Sequence, residues 1–466
     1  MRHFGPVVLG TLPIQSNVVS GAHPSRYGAF RERSRVEWRI GDGDDPFNLL
    51  QAFLDHHGLP VRDLGRIGDT PCRAGAAVGA SVFVSAAAGA WVAGAPIGPP
   101  SPAPAVPDLV AVVYDPAGEP ECGAATGPAG PGRGSAGALS HGITERPVSG
   151  TPERLAQGGP AGDDTSGKAA ERGGRAAGSS GLGPWRLGEW RASWSPAAHA
   201  DAVRKVRAAI SRGDVYQVNV VGHAAAPYFG DPLPALRRLA GLRGARYAGV
   251  LTGAGWAVGC ASPETLVEVS GGRIVTRPIK GTRPATGAGR RELLESAKER
   301  AEHVMIVDLE RNDLARVART GSVRVDELYA IRRWCDLWQA ESVVSAAPAA
   351  GLGLADLLRA MCPGGSVTGA PKLAALAEIA ALEPVGRGPS MGALGWVGHD
   401  RIDLGLTIRT AAADGERMHL WAGGGITWGS DPEAEVAEAV AKAAPLRAAL
   451  VWTPGPAQDE MELEHP

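Results

Sequence analysis

The alternation of apolar and polar positions is densest from residue 185 to about residue 450. Ser195 and Pro196 are typical of a helix start, and Gly213 predicts the end of that helix. Short runs of period two follow, and they indicate strands that succeed one another without a helix between each pair. This order favours a mostly antiparallel sheet. The predicted strands are Val215 to Val221, Arg246 to Thr252, Trp256 to Gly259, Leu266 to Val269 and Ile274 to Arg277.

Longer runs of helical period complete the pattern, and a smaller set of elements precedes residue 116. The predicted later helices are Gly289 to Thr320, Gly353 to Met361, Ala370 to Leu382 and Glu433 to Val451. The predicted N-terminal elements are a strand at Val36 to Ile40, a helix at Pro46 to His57, and strands at Ala80 to Ala86 and Asp108 to Tyr114. The whole pattern predicts an α+β fold with a mostly antiparallel sheet.

A change of composition divides the chain. Residues 117–184 are rich in Gly, Pro and Ala and contain few large apolar residues, which is typical of a linker or an insertion. We therefore predict an N-terminal region at 1–116, this linker, a main region at 185–452 that carries the chemistry, and an acidic tail at 453–466.

Charge and cysteine content narrow the class of protein. The 466 residues have a formal net charge of -2, which predicts neither a nucleic-acid partner nor an anionic membrane surface. We expect no signal peptide, because no basic segment precedes a continuous apolar run at the N-terminus, and no membrane span. Five scattered cysteines without a C-x-x-C pair fit a reducing, cytoplasmic location.

Lys280 and Glu264 are the first candidates for chemistry. An amine held near apolar side chains loses hydration, which favours the neutral form that attacks electrophiles, and a carboxylic acid can supply a proton to a leaving group. Lys280 stands between Ile279 and Gly281. A lysine beside a glycine is also the usual composition of a solvated turn, so the local sequence leaves both interpretations open.

Two acidic pairs with helical spacing are candidates for a metal site. Glu299 with Glu302, and Glu435 with Glu438, each lie three residues apart, which places both members on one helical face. Carboxylates from two helices, completed by water and substrate oxygens, suit Mg²⁺. The alternative is that both pairs are solvated helix faces.

Two glycine-rich segments and one arginine are candidates for anion binding. Residues 363–372 run through a glycine-rich turn that contains Thr368 into a helix, where backbone N–H groups favour a carboxylate or phosphate, although a structural turn fits equally well. Gly423 to Gly425 permit close approach of a planar acid. Arg409 lies within a strand-like pattern, and a carboxylate would satisfy its guanidinium there. Cys362 is interpreted as a buried packing residue.

Together these motifs resemble the chorismate-utilising enzymes of the anthranilate synthase component I type. The resemblance covers about Trp194 to Leu450 and is much weaker before the linker. It rests on motifs that occur in the family order: residues 213–219, 262–264, 278–282, 300–302, 306–313, 363–372, 407–410 and 422–426. The resemblance implies the α+β anthranilate-synthase-like fold, with antiparallel sheets packed as a sandwich, helices outside, and the site between the sheets.

Individual positions distinguish the branches of the family. Lys280 is similar to the aminodeoxychorismate branch, whereas anthranilate synthases usually carry alanine there. Gln217 stands where isochorismate and salicylate synthases place a water-activating lysine, so ammonia is the implied nucleophile. Ser342 replaces the histidine that the resemblance links with pyruvate elimination, which favours a product that keeps its enolpyruvyl group. Trp396 stands where relatives often place a tyrosine near the substrate.

The resemblance also implies roles for the candidate residues. Lys280 would attack C2 of chorismate while Glu264 protonates the departing C4 hydroxyl. Ammonia, supplied by a separate glutamine amidotransferase subunit, would then add at C4 and expel the lysine. The implied Mg²⁺ ligands are Glu302 and Glu438, with Glu299 and Glu435 near by, and the implied substrate-binding residues are Arg409, Gly423, Gly424, Gly425, Lys442, Thr368, Gln217 and Trp396.

Two alternatives remain at this level. One is an anthranilate synthase component I, which acts on the same substrate. The other is a chorismate-binding regulator without turnover, although a binder needs neither a nucleophile nor a proton donor. The sequence therefore predicts Mg²⁺-dependent amination of chorismate at C4.

Overall fold

The structure, a computed structural model, describes residues 30–69, 75–116, 185–334 and 337–451. The predicted linker and the predicted acidic tail lie outside the described residues, so the predicted domain limits stay predictions.

The first sheet carries the N-terminal strands at one edge and the strand of Lys280 at the other. Its spatial order is β1 (Phe30–Trp38), β3 (Leu109–Pro116), β2 (Gly79–Val84), β15 (Ala393–Gly398), β16 (Arg401–Leu406), β9 (Thr265–Ser270), β10 (Arg273–Arg277), β13 (Leu337–Ala346) and β11 (Ile279–Pro284), with β12 (Arg324–Trp334) also paired to β13. Neighbouring strands run antiparallel, as in the pairing of β15 with β2 and with β16.

The second sheet is built around one long strand, β6 (Gln217–Phe229). The other strands, in spatial order, are β14 (Gly369–Ala370) on one side of β6, and β18 (Arg417–Ile426), β17 (Thr410–Ala413), β8 (Trp256–Ser262) and β7 (Tyr247–Gly253) on the other. Two short strands, β4 (Arg186–Leu187) and β5 (Arg191–Ala192), also pair with β6.

The two sheets pack face to face. One buried apolar cluster contains residues of both, such as Val267 and Leu404 from the first sheet and Val258 and Trp421 from the second. Between the sheets, the Tyr247 hydroxyl donates to Asp403 Oδ1 at 2.6 Å, because a buried phenol needs a partner. The predicted α+β sandwich is therefore confirmed.

Helices cover the outer faces of this sandwich. The helices are α1 (Pro46–His56), α2 (Ala86–Val92), α3 (Pro196–Arg212), α4 (Leu233–Ala240), α5 (Gly287–Glu295), α6 (Ala297–Ala315), α7 (Leu354–Met361), α8 (Lys372–Leu382) and α9 (Pro432–Leu450), with 3-10 turns at Leu64–Arg66 and Gly365–Val367. Helix α9 packs on β18 between α3 and α4, and α6 packs on β12 and β13.

Several predicted boundaries were wrong, and each has a local cause. The single helix predicted from Gly289 to Thr320 is two helices, because Ser296 is extended (ψ 105°) and caps α6 by accepting from Glu299 N at 3.2 Å. The helix predicted from Ala370 begins at Lys372, because Ala370 pairs with Gln217 of β6. Helix α2, which begins where a strand was predicted to end, was not predicted.

Among the described residues, no helix combines the length and apolar character that a membrane crossing requires.

Candidate functional site

Lys280 lies in a strand and not in a solvated turn. It pairs with Ala340 of β13, and the register shifts immediately afterwards, at Gly281, whose φ of 76° is the left-handed conformation of a β-bulge. The half-buried Lys280 side chain donates from Nζ to Ser366 O at 3.2 Å. The bulge therefore directly follows a lysine that reaches across to the glycine-rich loop at 363–368.

Glu264 lies between β8 and β9, in the segment where the chain crosses from the second sheet to the first. It is only 6% exposed, and its Oε1 accepts from Ile279 N at 3.4 Å. Burial raises the pKa of this carboxyl, although the nearby Lys280 charge and hydrogen bonds from Ser366 and Ile279 oppose the rise. A raised pKa keeps the proton on Glu264 to higher pH, which suits a proton donor.

The surroundings of Lys280 are acidic, contrary to the expectation of apolar walls. Burial raises the pKa of Glu264 and of Glu302, the charge of Lys280 opposes both rises, and the same charge contributes to the lowered pKa of Glu438. Burial opposes this effect on all three acids. Lys280 is therefore the positive charge that several half-buried or buried carboxyls share.

Gln217 is a buried amide with unused hydrogen-bonding capacity. It is 1% exposed, and both its Oε1 and its Nε2 lack a hydrogen-bond partner. A Cβ placed on Gly425 would lie 2.1 Å from Gln217 Nε2 and 3.5 Å from Lys280 Nζ, so only glycine leaves this space open. Asn219, two residues further along β6, also has an unpartnered Oδ1. Because buried polar atoms are normally satisfied, this region is suited to a polar ligand.

The four predicted metal-binding acids lie on α6 and α9, and each has a cationic neighbour. Lys298 Nζ lies 3.9 Å from Glu302 Oε1 and also 3.9 Å from Glu435 Oε1, so it bridges the two helices. The other two pairs are Arg283 with Glu299 at 3.4 Å and Lys442 with Glu438 at 2.7 Å.

This set of carboxylates fits a hard cation in its chemistry. Burial raises the pKa of Glu302 and of Glu435, and neighbouring carboxylates raise both further. The pKa of Glu438 is lowered despite burial, because Lys442 is close. Within the described ranges, no three His, Cys, Asp or Glu side chains already surround one point. Magnesium, however, usually takes only one or two carboxylates and keeps water or substrate oxygens as its other ligands.

Three other predicted residues, Lys442, Gly423 and Gly424, lie next to these acids or their partners, and a fourth, Thr368, lies in the glycine-rich loop. Lys442 Nζ donates to Gly423 O at 2.9 Å, which ties α9 to β18. A Cβ on Gly424 would lie 3.0 Å from Glu435 Oε2. The Thr368 hydroxyl is fully buried and donates to Gly364 O at 2.9 Å, so in this conformation it holds the glycine-rich loop together.

Two predicted residues are placed differently from expectation. Arg409 does not lie in a strand: β16 ends at Leu406, β17 begins at Thr410, and Arg409 adopts φ 51° where the chain crosses between the sheets. Trp396 stacks on Tyr114 at 6.0 Å and also packs near Phe30, in an aromatic cluster of the first sheet. The structure does not bring Trp396 together with the residues around Lys280.

Sequence reasoning missed the groups behind the site. Ser366 contributes a backbone carbonyl, and no side-chain pattern reveals that contact. His303 is buried, with Nε2 3.0 Å from Lys280 O and Nδ1 2.8 Å from Ser342 Oγ, so it supports the strand of Lys280. Its position directly after Glu302 was a signal that could have been used.

Glu310 is a second buried acid that the sequence did not single out. It is 3% exposed, and its Oε2 accepts from Thr276 Oγ1 at 3.3 Å. Burial raises the pKa of Glu310 to about 8, and the charge of Asp313 adds to the rise while that of Lys372 opposes it. Glu310 is therefore protonated in the folded protein at neutral pH.

The chain is similar in sequence and in fold to known proteins. Residues 164–448 match the family model described as chorismate binding enzyme. The aminodeoxychorismate synthase component 1 of Klebsiella aerogenes is 40% identical over 256 residues, which are 53% of this chain and 57% of the relative. An anthranilate synthase component 1 of Haloarcula marismortui is 39% identical over 250 residues, which are 52% of this chain and 51% of the relative. The chain thus spans about half the length of the curated relatives it matches.

A solved structure extends the likeness of the fold. The crystal structure of anthranilate synthase component I from Streptococcus pneumoniae aligns with a TM-score of 0.64 over 96% of this chain and 95% of that chain. Its sequence is 22% identical, so this comparison concerns the fold alone. The fold that the motifs implied is confirmed.

Glu310→Gln is expected to flatten the pH dependence of stability. The folded protein keeps a proton on Glu310 until about pH 8, whereas the unfolded chain releases it near 4.5, so stability falls as the pH rises through this window. The neutral amide of Gln removes that loss. Thermal unfolding at several pH values between these limits should show a smaller decline of the midpoint for the variant.

Asp308→Asn is the matched control, because Asp308 lies on the same helix with 75% of its side chain exposed. It should follow the wild-type profile. A Glu310→Gln profile parallel to that of the wild type would show that Glu310 is ionised at neutral pH.

Proposed function

Because this chain belongs to the chorismate binding enzyme family, we propose that it aminates chorismate at C4 to give 4-amino-4-deoxychorismate. The observation that carries the proposal is the proximity of Lys280, an amine held by Ser366 O, to the buried acid Glu264, whose pKa is raised by burial. Several relatives are named aminodeoxychorismate synthase component 1. Their names supply the reaction, and the residue pair supplies a chemical route.

In the proposed route Lys280 is the nucleophile and Glu264 the proton donor. The amine forms a bond to C2, the two ring double bonds shift, and the C4 oxygen leaves as water with the proton of Glu264. Ammonia then forms a bond to C4, the double bonds shift back, and the lysine nitrogen leaves C2. The net change consumes chorismate and ammonia and releases water.

The proposal assigns substrate contacts to the polar groups around this pair. Gln217, whose buried amide lacks a partner, lies beside the lysine and faces Gly425. Gln217 is a neutral amide, so it cannot act as the base that a water-using enzyme needs, and ammonia is the nucleophile that we propose. Lys442 and Arg409 would bind the carboxylates of chorismate.

We propose Mg²⁺ as the cofactor, with Glu302 and Glu438 as ligands and Glu299 and Glu435 close by. The support is the concentration of carboxylates on α6 and α9, whose mutual repulsion raises the pKa of Glu302 and of Glu435 in addition to burial. When bound, the metal would neutralise the ring carboxylate of chorismate.

The partner that we propose is a separate glutamine amidotransferase subunit, which would release ammonia for the reaction. The word component in the names of the relatives fits an enzyme of more than one chain. We also propose a cytoplasmic location, since Cys260 and Cys362 are buried free thiols.

An anthranilate synthase is the second candidate, because a relative of that name is nearly as similar as the first. Two residues favour amination at C4 instead. One is Lys280, and the other is Ser342, whose hydroxyl forms a hydrogen bond of 2.8 Å with His303 Nδ1. With a serine hydroxyl in place of histidine, this position has no side chain that could take up a proton near neutral pH during pyruvate elimination.

The product and the role of Lys280 can be tested together. Wild-type protein with chorismate, Mg²⁺ and ammonium should yield aminodeoxychorismate, identified by mass, and Lys280→Ala should lose turnover on the order of 10²-fold or more, the scale of a positioned catalytic side chain. Lys205→Ala, at a lysine paired with Asp201 on the surface of α3, should retain full turnover.

Three outcomes would contradict the proposal. Anthranilate as the accumulating product would identify the second candidate. Chorismate binding by calorimetry without any product would identify a regulator. Unchanged turnover in Lys280→Ala would exclude the lysine as the nucleophile.

Gly425→Ala should lower turnover with little loss of stability. The new Cβ would meet the flexible end of Gln217, which must move and thereby leave its place beside Lys280. Steady-state kinetics and thermal unfolding measure the two effects separately. Gly429→Ala is the control, because a Cβ there has no neighbour within 4 Å. Equal turnover in the two variants would remove Gln217 from the proposed site.

Glu302→Gln and Glu438→Gln should raise the Mg²⁺ concentration needed for half-maximal turnover, because each removes one negative ligand. A chelator should stop the wild-type reaction, and added Mg²⁺ should restore it. Glu433→Gln is the control, because Glu433 lies on the same helix as Glu438 but pairs with Arg204 on the surface. The Mg²⁺ requirement of this variant should match that of the wild type. Wild-type turnover in excess chelator would rule out the metal.

A further inference from the structure

A buried ion pair lies behind the glycine-rich loop. Arg387 and Glu383 have side chains that are 6% and 4% exposed. Arg387 Nε donates to Glu383 Oε2 at 2.9 Å and Nη2 donates to Glu383 Oε1 at 2.7 Å, which is a two-point contact of fixed geometry. Because two buried charges satisfy each other in this way, the guanidinium has little freedom to move.

The remaining bonds of this pair go to the backbone of two segments that form the site. Arg387 Nη1 donates to Val367 O at 2.6 Å, and Nη2 donates to Asn219 O at 2.8 Å. Glu383 Oε1 accepts from Val221 N at 3.0 Å. The ion pair therefore joins the glycine-rich loop at 363–368 to strand β6.

These backbone contacts lie one residue away from the lysine contact. Ser366 O accepts from Lys280 Nζ at 3.2 Å, and the next carbonyl, that of Val367, accepts from Arg387. On the strand side, Asn219 N donates to Thr368 O at 2.7 Å. The carbonyls of Ser366 and Val367 belong to adjacent peptide units that meet at the Cα atom of Val367, so a shift of the Val367 carbonyl would also move the acceptor of Lys280.

We propose that Arg387, oriented by Glu383, is a positioning residue for Lys280. It fixes the peptide group between residues 367 and 368 against β6, and this places the adjacent acceptor of the reacting amine and the buried amide of Gln217 relative to each other. The inference rests on the proposed function in that it takes Lys280 as the reacting group.

A cavity that is lined by neither Lys280 nor Gln217 gives access to this ion pair. It has a volume of about 460 Å³ and is lined by Glu383 and Arg387 together with apolar residues such as Pro99, Ile379 and Val385. A small planar cation can therefore reach the place of the guanidinium once the arginine side chain is removed. This makes chemical rescue a suitable test, because a general loss of packing is not repaired by a guanidinium ion.

In Arg387→Ala, kcat for chorismate should fall on the order of 10²-fold, the loss that a misplacement of about 1 Å causes. Guanidinium chloride at millimolar concentration should restore a large part of it. Sodium chloride at equal ionic strength and urea, the neutral planar analogue, should not. Arg62→Ala, at an arginine paired with Asp55 on the surface, should show neither the loss nor a response to guanidinium.

Amide hydrogen exchange measures the order of these backbone segments and does not depend on catalytic turnover. In Arg387→Ala, amides of residues 364–370 and 217–221 should exchange faster than in the wild type, guanidinium should reverse the change, and other peptides should keep their rates. If the wild type makes no aminodeoxychorismate, the proposed function fails, and the exchange result still decides the role of Arg387.

Arg387→Lys covers the case in which the alanine variant does not fold. Lysine keeps the buried charge but lacks the forked geometry, so the folded variant should show a lower kcat and a nearly unchanged KM for chorismate. The proposal is overturned if either folded variant keeps wild-type kcat, if guanidinium gives no recovery, or if exchange at 364–370 is unchanged.

Discussion

The pairing of β6 with β18 is the constraint on which the site depends. It sets Gly425 opposite Asn219, and Gln217, two residues before Asn219 on the same strand, lies against the space that Gly425 leaves open. The same strand pairs with β14 on its other side and receives the bonds of the Arg387 and Glu383 pair. Strand register therefore decides which backbone groups meet Lys280, since a shift of one residue would turn Gln217 to the opposite face.

Charge balance is the second organising feature. Carboxyls crowd α6, α9 and the turn at Glu264, and their burial would be costly without nearby cations. Lys280, Lys298 and Lys442 supply these cations, and the pKa values of the acids are perturbed accordingly: raised where burial dominates, as at Glu302, and lowered at Glu438, next to Lys442. Such opposed shifts among neighbouring acids are typical of sites that handle protons.

Buried acids are also paired with cations at a distance from Lys280 and Glu264. Glu383 with Arg387, and Asp313 with Lys372 at 2.6 Å, both flank the glycine-rich loop. Buried pairs contribute little net stability, but they restrict the geometry of the backbone that they contact. The loop is thus held by charges on one side and contacts Lys280 on the other, which is the arrangement a preorganised site requires.

The sequence by itself determined the fold class and pointed to the groups on which the proposed function rests. Periodicity predicted the antiparallel sheet, the motifs shared with a known family implied the sandwich, and residue types and spacing singled out Lys280, Glu264 and the acid pairs of α6 and α9, because these depend on local pattern. Only the tertiary structure decided that Lys280 lies in a strand before a bulge, that Arg409 lies at a crossing between sheets, that Trp396 belongs to an aromatic cluster, and that Arg387 and Glu383 support the loop. Those features arise from contacts between segments far apart in the chain, and local propensity carries no record of which backbone atoms such segments bring together.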